Sequence, residues 1–343
     1  MKTMSSWMGR CWAAGLTVWT LGVRAADTTW TGAVDDDWNK VGNWSLKVPA
    51  VGDNVYFANM PSASVRVTAN GGATLMRIYM PLTLILESGA TLSLSNAGSE
   101  VLTSTADVTI DGPGTLSLST SSGDNHADVR PAAGTILTIN AKVTGSGTSG
   151  FEHNGLGKIV LNNPANDFPG TVVLTGNSGA TGSTLEFSDV AALGNAPAIR
   201  YSGYYSAVRY LGDTATLNKD ILVATGSATG RDIAFYNLGT GTLTINGKVD
   251  SVSNYGKAIT FQPDDPAAAF VLNGVVTNSQ NNLYLYSNGK GAVTVNGQVA
   301  IKGDIRSMGS STLTLTGDAS LSTGPLQAAA GTRFILSGSA VTG

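Results

Sequence analysis

The sequence predicts an all-β chain folded as a right-handed parallel β-helix, a solenoid, with an aromatic-rich N-terminal cap. Three observations lead there. Nine short phrases share one apolar alternation: ATLSLS from Ala90, GTLSLS from Gly114, GTILTIN from Gly134, GKIVLN from Gly157, STLEFS from Ser183, GTLTING from Gly241, GAVTVNG from Gly291, STLTLTG from Ser311 and GTRFILSG from Gly331. Most of their starts lie 20–26 residues apart, the length of one strand-and-turn repeat. Charged residues make up only 13% of the chain while Gly fills 43 of 343 positions, which suits stacked strands and tight turns and excludes a charge-rich disordered tail.

Residues 1–25 read as a secretory signal peptide. Lys2 and Arg10 supply a positive start, an apolar run from Cys11 to Val23 follows, and Val23-Arg24-Ala25 fits a cleavage site after Ala25. The alternative is a membrane anchor, but about a dozen apolar residues fall short of the ~20 that span a bilayer. Cleavage leaves 17 basic against 23 acidic residues, a balance that disfavours nucleic acid as a partner. It also removes Cys11, the only cysteine, so neither a disulfide nor a thiolate metal site is available to the mature chain. The expected location is outside the cell or on its surface.

Residues 26–60 form the cap. Trp30, Trp38 and Trp44 fall within fifteen positions, half of the six tryptophans, and a hydrophobic cluster of that kind can close the open end of a stacked core. Asp53 follows Pro49 through a short turn and leads into the alternation Val55, Phe57, so its carboxylate is read as a turn acceptor.

Residues 61–343 form the repeat array. In GTLTING, Leu243 and Ile245 face one way and Thr242, Thr244 and Asn246 the other; Val293 with Val295 and Leu313 with Leu315 repeat the pattern. Stacking builds an aliphatic column inside and Thr/Ser/Asn ladders outside, with about 13 rungs at ~4.8 Å giving a rod of roughly 60 Å. The competing architecture is an antiparallel β-sandwich, whose strands would recur every 8–12 residues, closer than these phrases do.

The cap pattern, W-x-G followed by W, NW and a proline before D-x-V-x-F, resembles a module of secreted bacterial proteins that carry autotransporter-associated β-strand repeats. Residues 155–196 are similar to one full copy of that repeat, through Gly157, Asn166, Phe168, Gly170, Val172 to Leu174, Thr184 to Phe187 and Ala192-Leu193-Gly194. Pro169 and the insertion GNSGAT depart from the pattern. The resemblance implies a β-helical passenger region of a secreted or surface protein, and it carries no catalytic residues over.

Chemistry-bearing residues are few. Asp124, His126, Asp128 and Arg130 sit within seven positions, and an extended segment would align all four on one face. Asp124, His126 and Asp128 could then hold a divalent cation, or an acid and a base could act on a sugar polymer; the alternative is a solvated loop. His153 beside Glu152 has no spaced partner. Asp35-Asp36-Asp37 and Asp264-Asp265 read as surface turns. For binding, Tyr201, Tyr204, Tyr205 and Tyr210 cluster with Arg200 and Arg209, and Tyr284 and Tyr286 alternate with Leu283 and Leu285. Exposed tyrosines stack on sugar rings or dock a protein, although tyrosine also simply favours strands.

The expected function is a non-enzymatic secreted or surface rod, a stalk, adhesin or interaction scaffold, that uses no cofactor. Its expected partners are an extracellular glycan or surface protein, together with end-to-end self-association. The alternative is a polysaccharide-active lyase or hydrolase, whose acids and arginines would converge on one groove.

Overall fold

A computed structural model describes residues 26–59, 64–120, 126–146, 150–178, 181–224, 233–253 and 256–337. The expected signal peptide and Asp124 lie outside these residues. The chain winds as a β-solenoid of three sides. The first side is a 12-stranded sheet running from Asp27–Thr29 to Val299–Ala300, and the second is a 12-stranded sheet from Ser64–Val67 to Leu326–Ala328. The third is split between a 4-stranded sheet, Gly71–Ala73 to Lys142–Gly145, and a 6-stranded sheet, Ala215–Leu217 to Arg333–Leu336. Every strand pairing between rungs is parallel, as in Val295 beside Leu315 and Leu313 beside Phe334. Twelve strands at ~4.8 Å make a stack of roughly 50–55 Å.

Period-two alternation makes the core. Leu243, Ile245, Val293, Val295, Leu313 and Leu315 are at most 1% exposed, while the intervening threonines face outward. Aromatic residues also pack in the core, with the Phe270 ring 5.5 Å from Phe235 and 5.2 Å from Phe261.

The Asn-Gly that closes several phrases has a definite job at the corner. Asn246 donates to Asn218 at 2.8 Å, Asn273 to Asn246 at 3.0 Å, and Asn296 to Asn273 at 3.0 Å, forming an outward amide ladder. Beside it, a Cβ on Gly274, Gly297 or Gly317 would lie 2.0 Å from the carbonyl oxygen of the glycine one rung earlier, so only glycine lets these corners stack.

The nine phrases do not form one column, as a single repeat would. Those at Ala90 and Gly114 lie on the third side, those at Gly134, Gly157 and Ser183 on the second, and the last four return to the third. The shift occurs at residues 155–196, where two rungs carry no strand on the third side. Asn166 fills the first gap: its Oδ1 accepts from Val143 N at 2.7 Å and its Nδ2 donates to Ala192 O at 2.7 Å, both buried. The second is filled by a short 3-10 turn, Val190–Leu193, capped by Asp189 and closed by Gly194 at φ +58, ψ −150, a region open essentially to glycine alone. At the insertion GNSGAT, Asn177–Ser178 pairs antiparallel with Thr181–Gly182.

At the N-terminal end the Trp30 and Trp38 rings meet Trp44 edge-on at 4.9 and 4.7 Å, and all three surround Phe57. Asp53 is buried and accepts from Ala26 N and Ala50 N, with Lys47 Nζ at 2.9 Å. Burial alone would raise its carboxyl, but these contacts hold it below the usual range.

Candidate functional site

A column of charged and polar side chains lies on the outer face of the first sheet. In His126–Pro131, Ala127, Val129 and Pro131 turn into the core, which sends His126, Asp128 and Arg130 outward as the alternation predicts. One rung on, Phe151 and His153 point inward and Glu152 outward; next come Val172 and Leu174 inward with Val173 outward, then Ile199 and Tyr201 inward with Arg200 outward. Parallel register therefore stacks Asp128, Glu152, Val173 and Arg200 in one column.

Asp128 is 4% exposed. Its Oδ2 receives Arg130 at 2.6 Å and Asn154 at 3.2 Å, and Arg130 also reaches Glu100 at 2.9 Å. Its buried Oδ1 has no donor among the described residues other than a proton on Glu152. Glu152 accepts the Thr175 hydroxyl. Burial, followed by the neighbouring Asp128 charge and the Glu152–Asp128 hydrogen bond, pushes the Glu152 carboxyl up to about 7 against the opposing Thr175 bond. Glu152 thus keeps its proton up to about neutrality.

His126, Glu152, Val173, Thr175, Arg200 and Ser202 line a concavity of about 350 Å³ beside this pair. Of the residues proposed to hold a metal, only His126 and Asp128 fall within the described chain, and no group of three or more His, Cys, Asp or Glu that could hold an ion occurs among the described residues.

His153 is structural. It is fully buried, its Nδ1 accepts from Gly155 N and its Nε2 contacts Gly157 O at 3.1 Å, which places the ring proton on Nε2. Burial lowers its pKa to about 4.

The tyrosine cluster does not assemble as one surface. Tyr201 and Tyr210 alternate in phase with Ile199 and Val208, so both enter the core, and their hydroxyls donate to Ala234 O at 3.1 Å and Asp213 O at 2.7 Å. Tyr204 and Tyr205 stay 41% and 40% exposed at the corner between the first and second sides, with Lys257 Nζ 5.8 Å from the Tyr204 ring. Arg200 faces out from the first side, whereas Arg209 lies on the second and covers Tyr236 at 5.4 Å. Tyr284 faces outward opposite Leu283 and Leu285, while Tyr286 lies under Arg306. The acidic turns behave as read: Asp265 Oδ1 accepts Ala267 N, and Asp35, bonded to Lys40 and Asn43, is lowered to about 2.

The sequence offered no mark for Glu152, whose partner lies 24 positions away in the chain and becomes a neighbour only through register. The signal that was present was its place, one rung beyond Asp128 and in the outward phase between Phe151 and His153.

A family model described as "Repeats of unknown function (DUF5649)" matches residues 105–175, a stretch that holds Asp128, Glu152 and Asn166. Curated proteins and solved structures yield no match.

Proposed function

We propose that the chain is a secreted or surface-displayed β-helical rod of the passenger type, a non-catalytic scaffold that spaces or presents what is attached to it. The observation that supports this is the continuous core and the outward Asn ladder at 2.8–3.0 Å, which tie successive rungs into one stiff element. The resemblance of the cap and of residues 155–196 to autotransporter-associated proteins points the same way, and so does the match to a family of repeats.

The enzymatic reading draws on Asp128 and Glu152. Glycoside hydrolysis commonly places two carboxyl groups ~5–9 Å apart across the scissile bond. Here the two are hydrogen-bonded to each other and one is tied to Arg130 and Asn154, a geometry that favours binding over cleavage.

Removing residues 247–273 tests the scaffold, because it joins Asn246 to Gly274 and so preserves the corner. The expected product is a folded rod shorter by about 4.8 Å in X-ray scattering, with neither chain depolymerising acidic or neutral polysaccharides. Sugar release by the wild type that is lost in Asp128→Asn would replace the scaffold with an enzyme.

A further inference from the structure

We propose that the concavity between His126 and Ser202 is a binding site for an acidic saccharide, a sugar ring bearing a carboxylate, with Arg200 as its anion partner. The site goes beyond the scaffold reading.

Arg200 projects from the outer face, exposed, and its guanidinium has no carboxylate or other hydrogen-bond partner among the described residues. Other guanidiniums on this face are engaged: Arg130 with Asp128 and Glu100, and Arg77 with Glu100. A planar guanidinium left open at the end of a polar concavity matches a carboxylate in bidentate geometry.

The remaining lining suits a pyranose. Val173 stands between Glu152 and Arg200 in the column and, nearly buried at 5% exposure, adds a small apolar contact to the floor of the concavity. Thr175, Ser202 and His126 place hydroxyl and imidazole groups around that floor, where ring hydroxyls can exchange hydrogen bonds. Glu152 and Arg200 are two rungs apart, about 10 Å, which leaves room for a ring between them.

Charge decides the sign. The groups facing Glu152 are Asp128, Arg130 and His126 from the preceding rung, with Thr175 and Arg200 from the following ones. With its proton Glu152 is neutral, the Asp128 charge is offset by Arg130, and Arg200 leaves the concavity favourable to an anion. When Glu152 ionises, a second negative charge enters the site and repels the ligand's carboxylate. Binding should therefore weaken as pH rises through about 7.

The test is calorimetric titration of the secreted full chain with an oligogalacturonate, its carboxyl-reduced neutral counterpart and succinate. At pH 5.5 the uronate should bind, and the neutral sugar and succinate at least tenfold more weakly. Arg200→Gln, an exposed change checked by unchanged circular dichroism, should weaken uronate binding at least tenfold. In a His126→Asn background, moving to pH 8.5 should weaken binding severalfold, and adding Glu152→Gln should remove that dependence. Absence of uronate binding, equal binding of the neutral sugar or of succinate, or an unaffected Arg200→Gln chain would each overturn the site. A pH dependence that survives Glu152→Gln would overturn the role given to Glu152.

Discussion

The side chain of Asn166 accepts the Val143 amide at 2.7 Å, and with its other end it donates to the Ala192 carbonyl. One residue thus stands in for a missing strand, because an amide side chain offers the same donor and acceptor as the backbone it replaces. The third side is broken into two sheets at this point, and Asn166 connects the last strand before the break to the 3-10 turn that fills the second gap.

Asn166→Ala would leave a buried amide and a buried carbonyl unpaired, so it should cost about 2–4 kcal/mol. Asn166→Asp keeps the acceptor but sets a carboxylate against the Ala192 carbonyl and should cost at least as much. Asn296→Ala, on the exposed ladder, should cost less than about 1 kcal/mol. Urea melts of the three chains check the order, and an Asn166→Ala loss no larger than that of Asn296→Ala would show that the bridge is dispensable.

The two faces of one strand make the next contrast. Leu313 is fully buried over Val293 and beneath Phe334, whereas Thr314 faces outward. Leu313→Asp or Val295→Asp places an unpaired charge in the aliphatic column and should cost more than about 4 kcal/mol, enough to prevent folding of the end rungs. Thr314→Asp should stay within about 1 kcal/mol. Circular dichroism melts decide it, and Thr314→Asp being the more damaging change would reverse the assignment of faces.

In the cap, the three indoles are not equivalent. Trp44 Nε1 donates to Trp38 O at 2.6 Å, while the buried Nε1 of Trp30 has no partner among the described residues. Trp44→Phe gives up a hydrogen bond and orphans a carbonyl; Trp30→Phe loses neither. Trp44→Phe should therefore be the more destabilising by about 1 kcal/mol, and Trp38→Ala should cost about 3–5 kcal/mol through the cavity it leaves. Tryptophan fluorescence followed through denaturant unfolding reads all three, and equal loss in the two phenylalanine variants would mean the Trp44 bond contributes nothing.

Period-two alternation and rung-length spacing were enough to read parallel stacking, the inward leucines and valines and the outward threonines, because a strand's two faces are written into neighbouring residues. What spans rungs was harder. Asn166 is visible as a residue of the repeat pattern, but its two acceptor and donor partners lie 23 and 26 positions away. Glu152 became a neighbour of Asp128 through register alone. Tyr201 and Tyr210 show the opposite error: their clustering in sequence suggested a surface, while the phase they share with Ile199 and Val208 already placed them inside.

Glu152 and His153, adjacent in the chain and on opposite faces of one strand, carry opposite proton linkages. Glu152 titrates at about 7 in the folded chain and near 4.5 when unfolded, so between these values the folded state holds the extra proton and stability falls as pH rises. His153 titrates at about 4 when folded and near 6.5 when unfolded, so between those values the unfolded state holds the extra proton and stability rises with pH. Over the shared window, roughly pH 4.5 to 6.5, the two contributions oppose each other and largely cancel. Glu152→Gln should uncover the histidine, adding a positive slope of up to about 1.4 kcal/mol per pH unit relative to wild type. His153→Gln should add a negative slope, the larger of the two changes, because the His153 ring is fully buried while Glu152 keeps part of its solvent contact. Denaturant unfolding at half-unit pH steps measures both differences, and slopes of the same sign in the two variants would show that the pair does not titrate as the structure arranges it.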